Sequence, residues 1–368
     1  MSNGKTDAAL KAGAESKINA PPPHDDLTKS LFARFKDLDT DKDGFVSKSE
    51  MERALGDSSF KDNDGAMVAT LWTTFSDFED FSNDEIGIEN DGITLADGTE
   101  YDRTREKAKK TEGEKKAIDQ IQATFQFAQQ KIKDNAAKTV FKGQPDMSSI
   151  RQGLIGDCWL LAALIGVVAR DPAEVRTFIT SKDPAGPFDV KFSGESKTLN
   201  VPMPTDTEIA LFCQSNGIWM TILELAFAAH VFGDKFKSVR SSAIEELDTG
   251  RAAGAAIPLL TGHTDDSDFL AVTREATTKD KLTKAFGNKK IVVAGVRKNM
   301  PLAGDRRDNG MPMGHAYAIL GFDATKDEIK VRNPWGNPDR PVGIPVENLF
   351  TLTLKQFHEN FSVVAYEE

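Results

Sequence analysis

Leu27, Leu31, Phe32, Phe35 and Leu38 recur every three or four positions, which predicts a helix over residues 27–38 with one apolar face. A short acidic stretch follows, and residues 49–55 predict a second helix. Residues 64–81 are aromatic and read as helical, while the polar stretch on to Thr99 reads as loop. Residues 104–138 are charged and helix-forming, with Ile118, Ile121, Phe125 and Phe127 only loosely periodic. They predict a connecting helix or pair of helices. A different pattern begins near Met147. Apolar runs after Cys158 and around Trp219 to Phe232 predict buried helices, and past Thr261 shorter runs (290–296, 315–322 and 329–332) predict strands. Helices early and strands late, with no internal repeat, indicate the α+β class.

Composition narrows the partners. The 368 residues carry a net charge of −11, which argues against nucleic acid or an anionic membrane surface and is compatible with divalent cations. The acidity concentrates between Asp25 and Asp97. Cys158 and Cys213 are the only cysteines, a usage that fits a reducing compartment. The first twenty residues lack the apolar core of a signal peptide, and the longest apolar run, 159–169, is too short to span a bilayer. A soluble cytoplasmic protein without a transmembrane segment is the expectation. Residues 1–28, rich in Ala, Lys, Gly and Ser and holding Pro21-Pro22-Pro23, read as a disordered tail and stiff spacer.

Between the first two helices, Asp39, Asp41, Asp43, Gly44, Phe45, Ser47 and Glu50 fall at the informative positions of a twelve-residue EF-hand loop. The three aspartates supply hard oxygen ligands and Gly44 permits the sharp turn. Phe45 offers its backbone carbonyl, Ser47 sits where a water usually mediates, and Glu50 can bind through both oxygens. Val46 stands where such loops place an apolar residue for a short strand against a partner loop. That partner is expected between Asp64 and Asp97, and no frame fits it. With Gly92 as the turn glycine the last ligand position falls on Gly98; counted back from Asp97, the first falls on Ile86. A degenerate second hand is expected in either frame.

The catalytic candidates lie further on. In Gln152-Gly-Leu-Ile-Gly-Asp157-Cys158-Trp159, glycines lead into an apolar stretch, so Cys158 begins a helix whose dipole favours a thiolate. Gln152 can turn its amide toward the same point and act beside the Cys158 N–H as an oxyanion donor. Of five histidines, His315 alone opens a strand. His24 lies in the spacer, His230 in an apolar helix, His263 in a polar loop and His358 on a late polar helix. The chain turns near residue 325 and returns through Asn333, about two rungs from His315. There Asn333 can accept the ring N–H and fix the tautomer.

Gln152 to Ala163 resembles the active-site motif of calpains. Gly314-His315-Ala316-Tyr317 and Asn333-Pro334-Trp335-Gly336 resemble that family's other two motifs, in the same order. The resemblance covers about residues 147–368. It implies a papain-like core in two lobes, a helical one carrying Cys158 (147–262) and a β-rich one carrying His315 and Asn333 (263–368), with a hinge near Thr261-Gly262. An all-α EF-hand region (29–100) and a helical linker (101–146) precede it. The resemblance further implies that Trp335 flanks the cleft and that calcium draws the lobes together. Two positions depart from the family: Ser149 stands where an acidic calcium ligand is usual, and Lys237 lies roughly where another acid is expected. The expectation is a core without the C-terminal modules of the animal type, and with it the EF-hand as the calcium sensor.

The resulting expectation is a calcium-regulated cysteine endopeptidase acting on protein substrates. Its alternative is a non-catalytic calcium-binding interaction protein with a calpain-like fold. Retention of Cys158, His315, Asn333 and Gln152 favours the enzyme. Acyl transfer as in transglutaminases shares the Cys–His pair, but Asn333 rather than Asp as orienter speaks against it.

Overall fold

Local capping sets most helix starts. The computed structural model of the chain describes residues 23–82, 92–180, 183–233, 244, 247–296, 311–336 and 348–368. Residues 1–22 of the expected tail, Asp84–Asp91 of the second acidic loop and Lys237 lie outside them. Asp25 accepts the Thr28 N–H at 3.0 Å and opens helix α1, Asp26–Leu38, which buries Leu27, Leu31, Phe35 and Leu38. The acidic loop leads into strand β1, Val46–Ser47, and helix α2, Lys48–Leu55, which starts with a reciprocal Ser47–Glu50 capping box. Helix α3, Asn63–Thr73, and helix α4, Phe75–Glu79, follow, divided at Thr74.

The stretch up to Thr99 is not all loop. It holds strand β2, Gly92–Ile93, and the first residues of helix α5, Leu95–Glu106. A Thr94–Asp97 capping box starts α5, and beside Tyr101 its buried positions are Asp97, Gly98, Asp102 and Thr104. A helix that buries polar residues gives no apolar period to read. Next comes helix α6, Glu112–Asp134, a single 23-residue helix opened by Thr111 and Glu114.

Strands β1 and β2 pair antiparallel, with Val46 opposite Ile93 and Ser47 opposite Gly92. A Cβ on Gly92 would lie 2.4 Å from the Val46 carbonyl oxygen, so glycine is required there by close approach rather than by a turn. This register decides between the two frames of the second loop: Asp97 stands where Glu50 stands. Its carboxylate takes the Ser82 N–H at 2.8 Å and the Thr94 N–H at 2.7 Å.

The rest of the chain places helices around one sheet. Helix α7 is Cys158–Arg170, α8 is Pro172–Phe178, and strands β3, Phe188–Val190, and β4, Leu199–Val201, form a ribbon. Helices α9, Asp206–Leu211, α10, Trp219–Phe232, and α11, Ile257–Thr261, follow. Strand β5, Asp265–Phe269, helix α12, Glu275–Gly287, and strands β6, Val292–Val296, β7, His315–Asp323, and β8, Glu328–Arg332, come next. Strand β9, Leu349–Thr353, helix α13, Leu354–Asn360, and strand β10, Val363–Glu367, end the chain. The six strands run in the order β5-β10-β6-β7-β8-β9, antiparallel throughout.

Alternation along the strands gives the sheet two apolar faces. Val293, Ala316, Ala318 and Ala365 face α7, and their cluster continues without a break through α10, α9, α6 and α3 to Leu27 and Leu31 of α1. Val292, Ala294, Tyr317, Ile319 and Val364 face the other way and pack with Leu282 of α12 and Phe357 of α13. Helix α7 therefore lies between the N-terminal helices and the sheet. Among the described residues no helix is long and apolar enough to cross a membrane.

Candidate active site

Cys158 is the first residue of α7 and is buried, 7% exposed. The loop before it is tied down on both sides. Arg151 and Gln214 exchange backbone bonds at 3.0 and 2.7 Å, the Gln152 N–H reaches Pro334 O at 2.9 Å, and the Leu154 N–H reaches Leu211 O at 2.7 Å. Such a loop delivers Cys158 to a helix N-terminus, where unpaired N–H groups and the dipole favour negative charge.

Strands β7 and β8 supply the second half. Ala318 pairs with Arg332, so Asn333, one residue past β8, falls level with the start of β7. The side chains meet: His315 Nε2 lies 2.8 Å from Asn333 Oδ1, both groups buried. With Nε2 so engaged, Nδ1 is the ring nitrogen left to face elsewhere. The N–H of Ala316, next to His315, points at Cys158 Sγ at 3.4 Å. Residues far apart in the chain are thus brought together by helix α7 packing on strand β7. The Trp335 ring lies 4.5 Å from the His315 ring, and the Tyr317 ring 4.8 Å from it.

Gln152 belongs to the same loop and is buried, and its amide Nε2 donates to Ile155 O at 2.6 Å. One amide hydrogen is used there and a second remains. The other described histidines pair away from this site: His24 with Asp102 at 2.7 Å, His263 with Glu367 at 2.5 Å, His358 with Thr278 at 2.9 Å, and His230 with Glu195.

The acidic loop forms a second cluster. Oxygens of Asp39, Asp41 and Asp43 lie within 4.8 Å of one another, and Gly44 turns the chain with φ +100°. Loss of water contact raises the Asp43 carboxyl; the Phe45 N–H works against this, and the charges of Asp41, Asp39 and Glu50 add to it. Glu50 accepts the Thr40 N–H at 2.7 Å and the Ser47 N–H at 2.9 Å. Burial works to raise its carboxyl, but these bonds and the two hydroxyls outweigh it and hold it at about 2.

The profile of the calpain family cysteine proteases matches residues 111–340. The chain belongs to the calpain family. Calpain-9 of Homo sapiens is 25% identical over 211 residues, covering 53% of this chain and 29% of its own length. Calpain clp-1 of Caenorhabditis elegans is 27% identical over 203 residues, 50% of this chain and 24% of its own length. The calpain-type cysteine protease DEK1 of Zea mays is 24% identical over 212 residues, 54% of this chain and 9% of its own length. The chain thus spans less than a third of the calpains it matches. The calpain match begins at Thr111 and so takes in helix α6.

Buried polar residues to which the sequence reading gave no role also surround the Cys158 loop. The Arg332 guanidinium is buried and donates to Ile150 O at 3.1 Å. Asp157 and Glu224 are fully buried, and Lys131 of α6 is 3% exposed. A charged residue at a core position of an apolar helix, as in Leu223-Glu224-Leu225, is a signal that could have found Glu224.

Proposed function

We propose that this chain is a calcium-regulated cytoplasmic cysteine endopeptidase acting on protein substrates. The observation that carries the proposal is the 2.8 Å His315–Asn333 bond beside a cysteine at a helix N-terminus, with the Ala316 N–H 3.4 Å from its sulfur. Helices carrying Cys158 form one lobe and the sheet carrying His315 and Asn333 the other. Cys158 passes its proton to His315, and the thiolate attacks the substrate carbonyl carbon. A C–S bond forms and the carbonyl oxygen takes the negative charge, held by the Cys158 N–H and the second Gln152 amide hydrogen. The C–N bond breaks as His315 gives its proton to the leaving amine. His315 then deprotonates a water, which displaces the thiolate from the thioester and releases the carboxylic acid. Asn333 holds Nε2, so that Nδ1 is the nitrogen that moves the proton.

The acidic loop fits a calcium ion. Three carboxylates converge, Gly44 adopts the turn, and the buried Oδ1 of Asp39 has no hydrogen-bond partner among the described residues. Asp39, Asp41, Asp43 and the Phe45 carbonyl would hold the ion, with Glu50 after it exchanges its bonds to Thr40 for the metal. Bound calcium supplies charge balance and order to this loop. Asp97 with its capping bonds is the counterpart of Glu50 in a degenerate second hand. The route to the cleft is short: Lys48 of α2 and Trp72 of α3 line one cavity with Leu154 and Asp248, and the Asp248 carboxylate takes the Gly156 N–H at 2.5 Å.

Casein hydrolysis across a calcium titration, beside a Cys158→Ala control, tests this reading. Cleavage that rises with calcium and is missing from the control is expected. A folded protein that binds calcium yet cleaves nothing would replace it with a non-catalytic calcium-binding module.

A further inference from the structure

Behind the proposed nucleophile lies a buried charged cluster drawn from four separate segments. The Asp157 carboxyl, one residue before Cys158, lies buried close enough to the Glu224 carboxyl of α10 for the charge of one to act on the other. Both Glu224 oxygens accept the Cys213 N–H at 3.0 Å. The Lys131 ammonium of α6 donates to Ala210 O at 3.1 Å and to Phe212 O, at the C-terminal end of α9. Asp157 and Glu224 are fully buried, and Lys131 is 3% exposed.

These contacts bear on the catalytic loop through the 210–214 segment. A Cβ on Gly153 would lie 2.0 Å from Leu211 O and 2.2 Å from Phe212 O, so the loop rests directly on one carbonyl that Lys131 holds, Phe212 O, and on its neighbour Leu211 O. Any shift of that segment displaces Gln152 on one side and, through Glu224 and Asp157, the start of α7 on the other. Charge favours a shared proton. One ammonium balances two buried carboxyls only if the pair keeps one proton between them. Burial, and then the Asp157 charge, push Glu224 well up in the direction that keeps it. The remaining groups facing the cluster are the Cys213 thiol, itself pushed up by burial, and the Arg332 guanidinium beyond it.

We propose that Lys131, Glu224 and Asp157 are positioning residues that hold Gln152 and the Cys158 helix start in register, which makes helix α6 a working part of the catalytic centre rather than a spacer. The proposal rests on Cys158 being the nucleophile. Glu224 acts in its protonated form, uncharged beside the buried Asp157 carboxyl and accepting the Cys213 N–H. A glutamine reproduces that arrangement and a leucine cannot.

Three variants, Glu224→Gln, Glu224→Leu and Lys131→Met, test it by two readouts taken across pH: hydrolysis of a fluorogenic peptide, and the rate at which iodoacetamide alkylates Cys158, read by mass spectrometry. Glu224→Leu and Lys131→Met should lower kcat about 10- to 100-fold with KM little changed, as expected when reacting groups are displaced by less than an ångström. Both should also slow Cys158 alkylation. Glu224→Gln should keep kcat at neutral pH and hold it to higher pH than the native chain, which loses the shared proton there. Where the leucine or methionine variant does not fold, the alkaline limb of Glu224→Gln decides alone, and an unmoved limb overturns the proposal. Native kcat and alkylation profiles in all three variants overturn it as well. If the native chain hydrolyses nothing, the protease reading fails separately. Alkylation then still supports the positioning role if it slows in the variants and overturns it if it does not.

Discussion

At the scale of single residues, the site rests on a short polar relay whose members differ in how they could be found. Cys158, His315 and Asn333 were legible because each stands in a local pattern, and the β7–β8 turn fixes the offset between two of them. Lys131 and Glu224 were not, since their partners are brought together only by tertiary packing. Removing the proposed orienter tests the relay: Asn333→Ala takes away the partner of His315 Nε2, and kcat should fall at least about tenfold with substrate binding retained. Gln152→Ala should cost about 100- to 1,000-fold in kcat, as for removal of one oxyanion donor. Glu367 shows the same chemistry used for stability. Burial pushes its carboxyl up, but the Ile291 N–H, His263, Arg170 and Lys290 hold it below the ordinary value. Its contribution is therefore complete above the usual glutamate pKa and is lost as pH falls through the lower native value. Glu367→Gln should cost about 1–3 kcal/mol at neutral pH and flatten the acid limb of stability, read by urea unfolding.

Elements show a different division between what was and was not readable. Amphipathic α1 and the apolar helices α7 and α10 stood out by period and hydropathy. Helix α5 did not, because capping by Thr94 and Asp97 and the burial of Asp102 and Thr104 specify it instead. The two acidic loops could not be aligned by ligand spacing alone; the Val46–Ile93 pairing aligned them. That pairing depends on the missing side chain at residue 92. Gly92→Ala forces the strands apart and should destabilise the N-terminal helices by about 1–3 kcal/mol, with weaker calcium binding by titration calorimetry. Asp39→Ala should abolish the calcium response of hydrolysis while Cys158 remains alkylatable; an intact response would place the sensor elsewhere.

Over the whole molecule, the α+β class and the division into an early helical and a late sheet-forming part were visible in the order of apolar patterns. What the pattern could not show is that α6, read as a linker, contributes Ile118, Ile121, Phe125 and Ala128 to the same interior as the Cys158 helix. Ile121→Ala should therefore cost about 2–5 kcal/mol, the range for a truncated core residue. It should lower the melting temperature of the entire chain in one transition rather than melting the N-terminal helices first. The unbroken interior also constrains how such a protein can change over time. A sensing unit joined by a loose tether can be exchanged by recombination at the tether. Here a crossover between α3 and α7 would cut through packed side chains, so any ancestor that acquired these N-terminal helices had to refit the interior to them, position by position.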